Sequence, residues 1–209
     1  MIRVIYIAAA LVMSSVLQAA EPARPTKIDF EQFKVGPLPD DFMVVEGEFR
    51  IAEQDGKKVL ELLPQPIADG AVLVGPSASG ASSIRALTKA EKSRRSFPRF
   101  GLGLQGISGT KLRVVPAQKT IELVQGEAQI AKADFEWKEN TWLVVELNVG
   151  ESAGAWTAEA RVWLAGGRRP DQPSLTAKLP GPPGQGRPSV IGTPYANKPI
   201  YFDDVEVGI

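Results

Sequence analysis

Carboxylates are the groups in this sequence best placed for acid–base chemistry, because the 209-residue chain contains no His and no Cys. Without Cys there is no thiolate nucleophile, disulfide framework, zinc ribbon or iron–sulfur cluster. Without His the commonest general base and transition-metal ligand are missing, as is any Ser-His-Asp triad. A pair of carboxylates working on one bond must reach one cleft, and a strand's two-residue period sends positions i and i+2 to the same face. Two clusters come near that spacing, Glu46-Gly47-Glu48 and Asp203-Asp204-Val205-Glu206. Glu46 and Glu48, beside Val45, Phe49 and Ile51, read as a solvent-facing edge. In the second cluster Asp204 and Glu206 are expected to share a face and Asp203 to point to the other. Neither cluster holds a third carboxylate in period.

Tryptophan offers a different chemistry, sugar recognition. In Ala158–Leu164 the residues Ala158, Ala160, Val162 and Leu164 alternate with Glu159, Arg161 and Trp163. An indole beside Arg and Glu on one sheet face can stack on a sugar ring while the charges bond its hydroxyls. Trp163, Arg161 and Glu159 are therefore the candidate ligand-binding residues. The segment 166–189, with its six prolines, is expected to be a long loop, and the competing reading is that it folds over Trp163. Trp137 and Trp142 flank a turn, and Trp142 is expected to close one end of the core. Gly101-Leu102-Gly103 alternates with Phe100 and Leu104, which marks strand positions under close packing and not a phosphate loop.

The elements that must position these residues are short strands. The chain has 20 Gly and 17 Pro, a turn-rich composition below the level that signals disorder. Runs with strand chemistry lie at 42–51, 58–63, 71–75, 100–104, 111–115, 120–124, 142–149, 158–164 and 200–207; 82–94, the one stretch also compatible with a helix, reads rather as strand followed by a basic loop. Asp55-Gly56 between two runs fits a tight hairpin turn. Many short strands without a helical segment predict an all-β fold, an antiparallel two-sheet β-sandwich of jelly-roll type.

Ahead of the strands, Met1-Ile2-Arg3, the apolar run Val4–Met13 and small residues up to Ala20 have the form of a secretory signal peptide, residues 1–20. The run is too short to span a bilayer. The expected organisation is signal peptide 1–20, flexible lead-in 21–27 and one sandwich domain 28–209, exported to the periplasm or secreted, with no membrane anchor after removal. The 24 basic and 24 acidic residues balance, so no footprint for nucleic acid is expected. The basic cluster from Lys89 to Arg99 reads as a solvated hairpin loop.

Several segments together resemble the concanavalin A-like lectin/glucanase superfamily, the jelly roll shared with laminin G-like domains and family 16-like glycoside hydrolases of exported bacterial proteins. They are Ile28-Asp29-Phe30-Glu31, Val45–Ile51, Val59–Leu62, Pro98–Leu104, Phe135-Glu136-Trp137, Trp142–Val145, Gly192–Tyr195 and Pro199–Val207. The true hydrolases of that superfamily carry Glu-x-Asp-x-Glu on one strand, a motif this chain lacks. The resemblance also implies a structural Ca²⁺ where the first and last strands meet, with Asp29 and Asp203 as its ligands. Function is expected to be that of a noncatalytic exported module binding a carbohydrate or another extracellular polymer. The alternatives are a glycoside hydrolase whose carboxylates come from different strands, or a structural or protein-interaction domain of the cell envelope.

Overall fold

The computed structural model describes residues 25–195 and 197–209; the expected signal peptide lies outside them. Numbered in chain order, the nine strands of one sheet are β1 (Thr26–Ile28), β2 (Gly36–Pro37), β4 (Phe49–Gln54), β5 (Lys57–Leu62), β7 (Ser82–Ala90), β12 (Leu143–Ser152), β13 (Ala155–Leu164), β14 (Leu175–Lys178) and β16 (Ile200–Gly208). The second sheet has seven: β3 (Met43–Glu46), β6 (Gly70–Leu73), β8 (Arg99–Leu104), β9 (Thr110–Val115), β10 (Thr120–Gln125), β11 (Ala128–Asp134) and β15 (Ser189–Thr193). Their spatial orders are β14-β13-β12-β7-β16-β5-β4-β2, with β1 beside β16, and β11-β10-β9-β8-β15-β6-β3. Neighbours run antiparallel throughout, so the molecule is the two-sheet jelly-roll sandwich its residue pattern predicted.

The core lies between the sheets and is built by alternation. Leu143, Val145, Leu147 and Val149 of β12 face Phe100, Leu102 and Leu104 of β8 and Leu112 and Val114 of β9 across one cluster. Each such buried side chain stabilises the fold by about 1.5–3 kcal/mol relative to exposure. Asp55 and Gly56 both have positive φ (55° and 77°), as a two-residue primed turn between β4 and β5 requires.

Four local readings change. The lead-in is shorter than expected, because Thr26 and Lys27 already pair with Val207 and Glu206. The run 42–51 is two strands in different sheets, broken at Gly47 with φ 96°, so Glu46 and Glu48 are not two positions of one strand; both are exposed. The Pro-rich segment contains a strand, β14, paired to β13. Trp142 stands half-buried outside the core cluster, its Nε1 donating to Asp55 Oδ2 at 3.0 Å.

Close packing explains Gly101. A Cβ there would lie 1.8 Å from the Leu112 carbonyl oxygen, whereas at Gly150 it would meet nothing within 4 Å. Gly101→Ala should therefore cost about 3 kcal/mol, lowering the melting temperature by roughly 6–12 °C. Gly150→Ala should leave it within about 2 °C. Thermal denaturation of both variants checks this; equal effects would contradict the close approach of β8 and β9.

Candidate functional site

Glu159, Arg161 and Trp163 do share the outer face of the nine-stranded sheet, while Ala158, Ala160 and Val162 enter the core. Arg161 is nevertheless committed within the protein. Its buried guanidinium lies 3.4 Å from Glu146 and 3.3 Å from Glu159. Glu146 also accepts from Arg169 Nε at 2.9 Å and from Asn148 Nδ2 at 2.9 Å. Burial alone would push the Glu146 carboxyl up. Hydrogen bonds from Arg169 and Asn148 and the charges of Arg169 and Arg161 outweigh that and hold it below its ordinary value. This cluster fastens the start of the Pro-rich segment to the sheet. Trp163 is half-buried in a separate groove of about 190 Å³, among Lys27, Arg85, Leu87, Val144 and Glu206. There Arg85 and Glu206 pair at 2.5 Å and Lys27 and Asp204 at 3.0 Å.

The two residues expected to hold calcium have different surroundings. β16 passes from β5, its partner at 200–202, to β1, its partner at 205–207. Phe202 and Val205 both stay in the core, so an extra residue bulges between them, with Asp204 at φ 46°. Asp203 and Asp204 therefore both sit outside the core and do not take opposite faces. Asp203 Oδ1 accepts the Asp204 N–H at 2.7 Å, and Oδ2 lies 4.0 Å from Lys57 Nζ. Burial pushes the Asp203 carboxyl up, partly offset by the Asp204 N–H. Asp29 precedes the 3-10 turn Phe30–Gln32 without capping it through its side chain. Calcium needs six or more oxygens. Among the described residues no three acidic side chains gather to supply them.

A larger cavity, of about 710 Å³, opens at an end of the sandwich. Three separate segments build it. The hairpin leaving β7 supplies Lys92 and Phe97, and is closed by reciprocal Ser93–Ser96 backbone hydrogen bonds of 2.9 and 2.8 Å. The 3-10 turn Pro116–Gln118 after β9 supplies Pro116, Ala117 and Lys119, the last at φ 57°. The stretch after β11 supplies Glu136, Trp137, Lys138 and Glu139, anchored by Phe135 N–H to the Lys119 carbonyl at 2.8 Å. Trp137 leans on core residue Phe100 with ring centroids 6.4 Å apart. Its buried Nε1 donor has no hydrogen-bond partner among the described residues. Lys92 Nζ lies 5.9 Å from the Phe97 ring centroid and 3.5 Å from Glu139, and Lys119 lies 3.5 Å from Glu136. Sequence reading placed Trp137 only beside a turn and the Lys92–Phe97 stretch only in a solvated loop. The signal that could have joined them is the register of three successive hairpins, β8–β9, β9–β10 and β10–β11, the last with a shift between Leu123 and Val124, which no turn residue displays on its own.

No family model and no curated protein matches the chain, but solved structures do. The carbohydrate-binding module CBM66 from Bacillus subtilis is 13% identical, with a TM-score of 0.54 over 81% of this chain and 96% of that one. The carbohydrate recognition domain of Emp47p is 8% identical, with a TM-score of 0.62 over 91% and 99%. The likeness is one of fold. A GH43 protein from Bacillus licheniformis has the same relation at 11% identity and a TM-score of 0.61, covering 87% of this chain and 39% of its own. The lectin-like jelly roll is thus common to binding modules and to part of an enzyme, and activity has to be argued from the site.

The Glu146 cluster yields a pH-dependent prediction. A carboxylate held below its unfolded pKa contributes stability that is present above the unfolded value and is lost as pH falls through the folded one. Glu146→Gln should cost about 3 kcal/mol at pH 7 by leaving the Arg161 charge buried and short of a partner. Melting curves of the two proteins should converge as pH drops below the ordinary carboxylate range. A variant that melts with the wild type at pH 7 would show that the Pro-rich segment is held without this cluster.

Proposed function

We propose that this protein is an exported, noncatalytic carbohydrate-binding module whose saccharide lies in the end cavity against Phe97 and Trp137. The observation that carries the reading is the cavity itself. Its volume of about 710 Å³ falls in the range of roughly 300–1,000 Å³ that holds small ligands, whereas the Trp163 groove is smaller than that range. Two aromatic rings stand among ammonium and carboxylate groups, the combination that stacks on a sugar ring while bonding its hydroxyls. The fold likeness to CBM66 and to a carbohydrate recognition domain agrees with that use. The secretory pattern at 1–20 supports export.

The state of the carboxylates supports a noncatalytic role. Glycoside hydrolysis needs a carboxylic acid held protonated by burial opposite a second carboxylate. Glu136 stands almost fully in solvent and faces Lys119, and Glu139 faces Lys92.

Affinity electrophoresis and calorimetry against a panel of polysaccharides test the reading. Phe97→Ala should weaken binding of the retained glycan about tenfold or more, the loss of one stacking contact of roughly 1.4 kcal/mol. Trp163→Ala should bind as the wild type does, and no new reducing ends should appear on long incubation. Loss of binding in Trp163→Ala with Phe97→Ala unaffected would move the ligand to the sheet face, and released sugar would restore the hydrolase.

A further inference from the structure

We propose that the end cavity selects saccharides bearing an oxyanion, the carboxylate of a uronate or a sulfate ester, over neutral ones. The inference rests on the carbohydrate-binding reading and concerns the same site. Its basis is a local imbalance of charge in a chain that is neutral as a whole, with 24 basic and 24 acidic residues. On the sheets, most arginines are spent on short internal pairs. Arg50 meets Glu61, Arg85 meets Glu206 at 2.5 Å, Arg169 meets Glu146 at 2.5 Å, and Arg99 and Arg113 share Asp69 at 2.9 Å each.

Around the cavity the balance differs. Lys92, Lys119 and Lys138 line it, and the hairpin that supplies Phe97 carries Arg94 and Arg95 at its tip, both exposed. Against these five cations stand Glu136 and Glu139; neighbouring Glu91 is engaged by Lys198 at 3.8 Å. The two pairs inside the cavity are long, 3.5 Å each. The Lys119–Glu136 side chains are 74% and 88% exposed, so this pair holds its partners weakly. Lys138, Arg94 and Arg95 have no ion-pair partner among the described residues. A saccharide stacked on Phe97 would thus sit within a rim of loosely held ammonium and guanidinium groups. Lysine attracts an oxyanion as a compact charge and arginine can grip it with a planar fork. Such attraction is steep in ionic strength. The same cations would attract a nucleic acid, but a cavity confined to one end of a neutral chain lacks the extended basic stripe that follows a phosphate backbone.

The test compares polymers of one backbone with and without charge: polygalacturonate against its fully methyl-esterified form, and dextran sulfate against dextran, by calorimetry at 50 and 500 mM NaCl. At least one charged polymer should bind tenfold or more tighter than its neutral counterpart at 50 mM NaCl, with the advantage gone at 500 mM. Which of the two binds identifies the anion as carboxylate or sulfate. The surface variant Arg94→Gln/Arg95→Gln, at the exposed hairpin tip outside the cavity lining, should lose much of that advantage while keeping any binding of the neutral polymer. Equal binding of charged and neutral polymers that depends on Phe97 would overturn the anion preference and leave the carbohydrate-binding reading standing. Absence of binding to any polysaccharide would overturn both. Binding of a single-stranded oligonucleotide as tightly as of the best polymer, with the same dependence on Arg94 and Arg95, would overturn the saccharide assignment.

Discussion

The last strand is the piece on which the sandwich depends. β16 lies inside the nine-stranded sheet, with β7 along one side and β5 and then β1 along the other. To serve two successive partners and still send Phe202, Val205 and Val207 into the core, it must gain one residue at the handover. The gain is the bulge at Asp203-Asp204, where aspartate tolerates positive φ. The first aspartate accepts the N–H of the second and satisfies an amide close to the interruption of the ladder. The acidic pair near the chain end thus has a structural reason of its own: it is how a centrally placed strand changes neighbours and still returns Val205 and Val207 to the core.

Charge is used in two ways on this scaffold. On the outer face of the nine-stranded sheet, cations and carboxylates are interleaved on adjacent strands and neutralise each other, from Arg50–Glu61 through Arg85–Glu206 to Arg161–Glu146–Arg169. A face so occupied stiffens the sheet and pins the Pro-rich segment, leaving its arginines little freedom for a ligand. The end cavity is assembled from turns and connections instead, where side chains are less constrained and the pairs are long. Function placed on loops over a rigid sheet is the usual division of labour in such folds.

Much of this was legible in the residues, for identifiable reasons. Strands such as β12 and β13 bury only one face, so Leu143–Val149 and Ala158–Leu164 display their period openly and predict both strand and facing. The Asp55-Gly56 turn announces itself through residues that accept positive φ. The break at Gly47 was hidden because a change of sheet keeps the apolar character on both sides. β14 was hidden because an edge strand of four residues among prolines needs little alternation to pair. The bulge in β16 defeats alternation by construction. The site was least legible, since Phe97, Lys119 and Trp137 are 18 to 22 residues apart in steps and meet only through the pairing of β8 to β11.

In the proposed function a saccharide lies against Trp137 and Phe97 at the end of the sandwich. The four tryptophans give four indole N–H signals in a ¹H–¹⁵N correlation spectrum, and those of Trp137 and Trp163 report the two competing locations separately. Titration with the best-bound oligosaccharide should move the Trp137 indole signal and the backbone amides of Phe97 and Lys138, and leave the Trp163 signal in place. Movement of the Trp163 indole and the Glu159 amide with Trp137 unmoved would contradict the account.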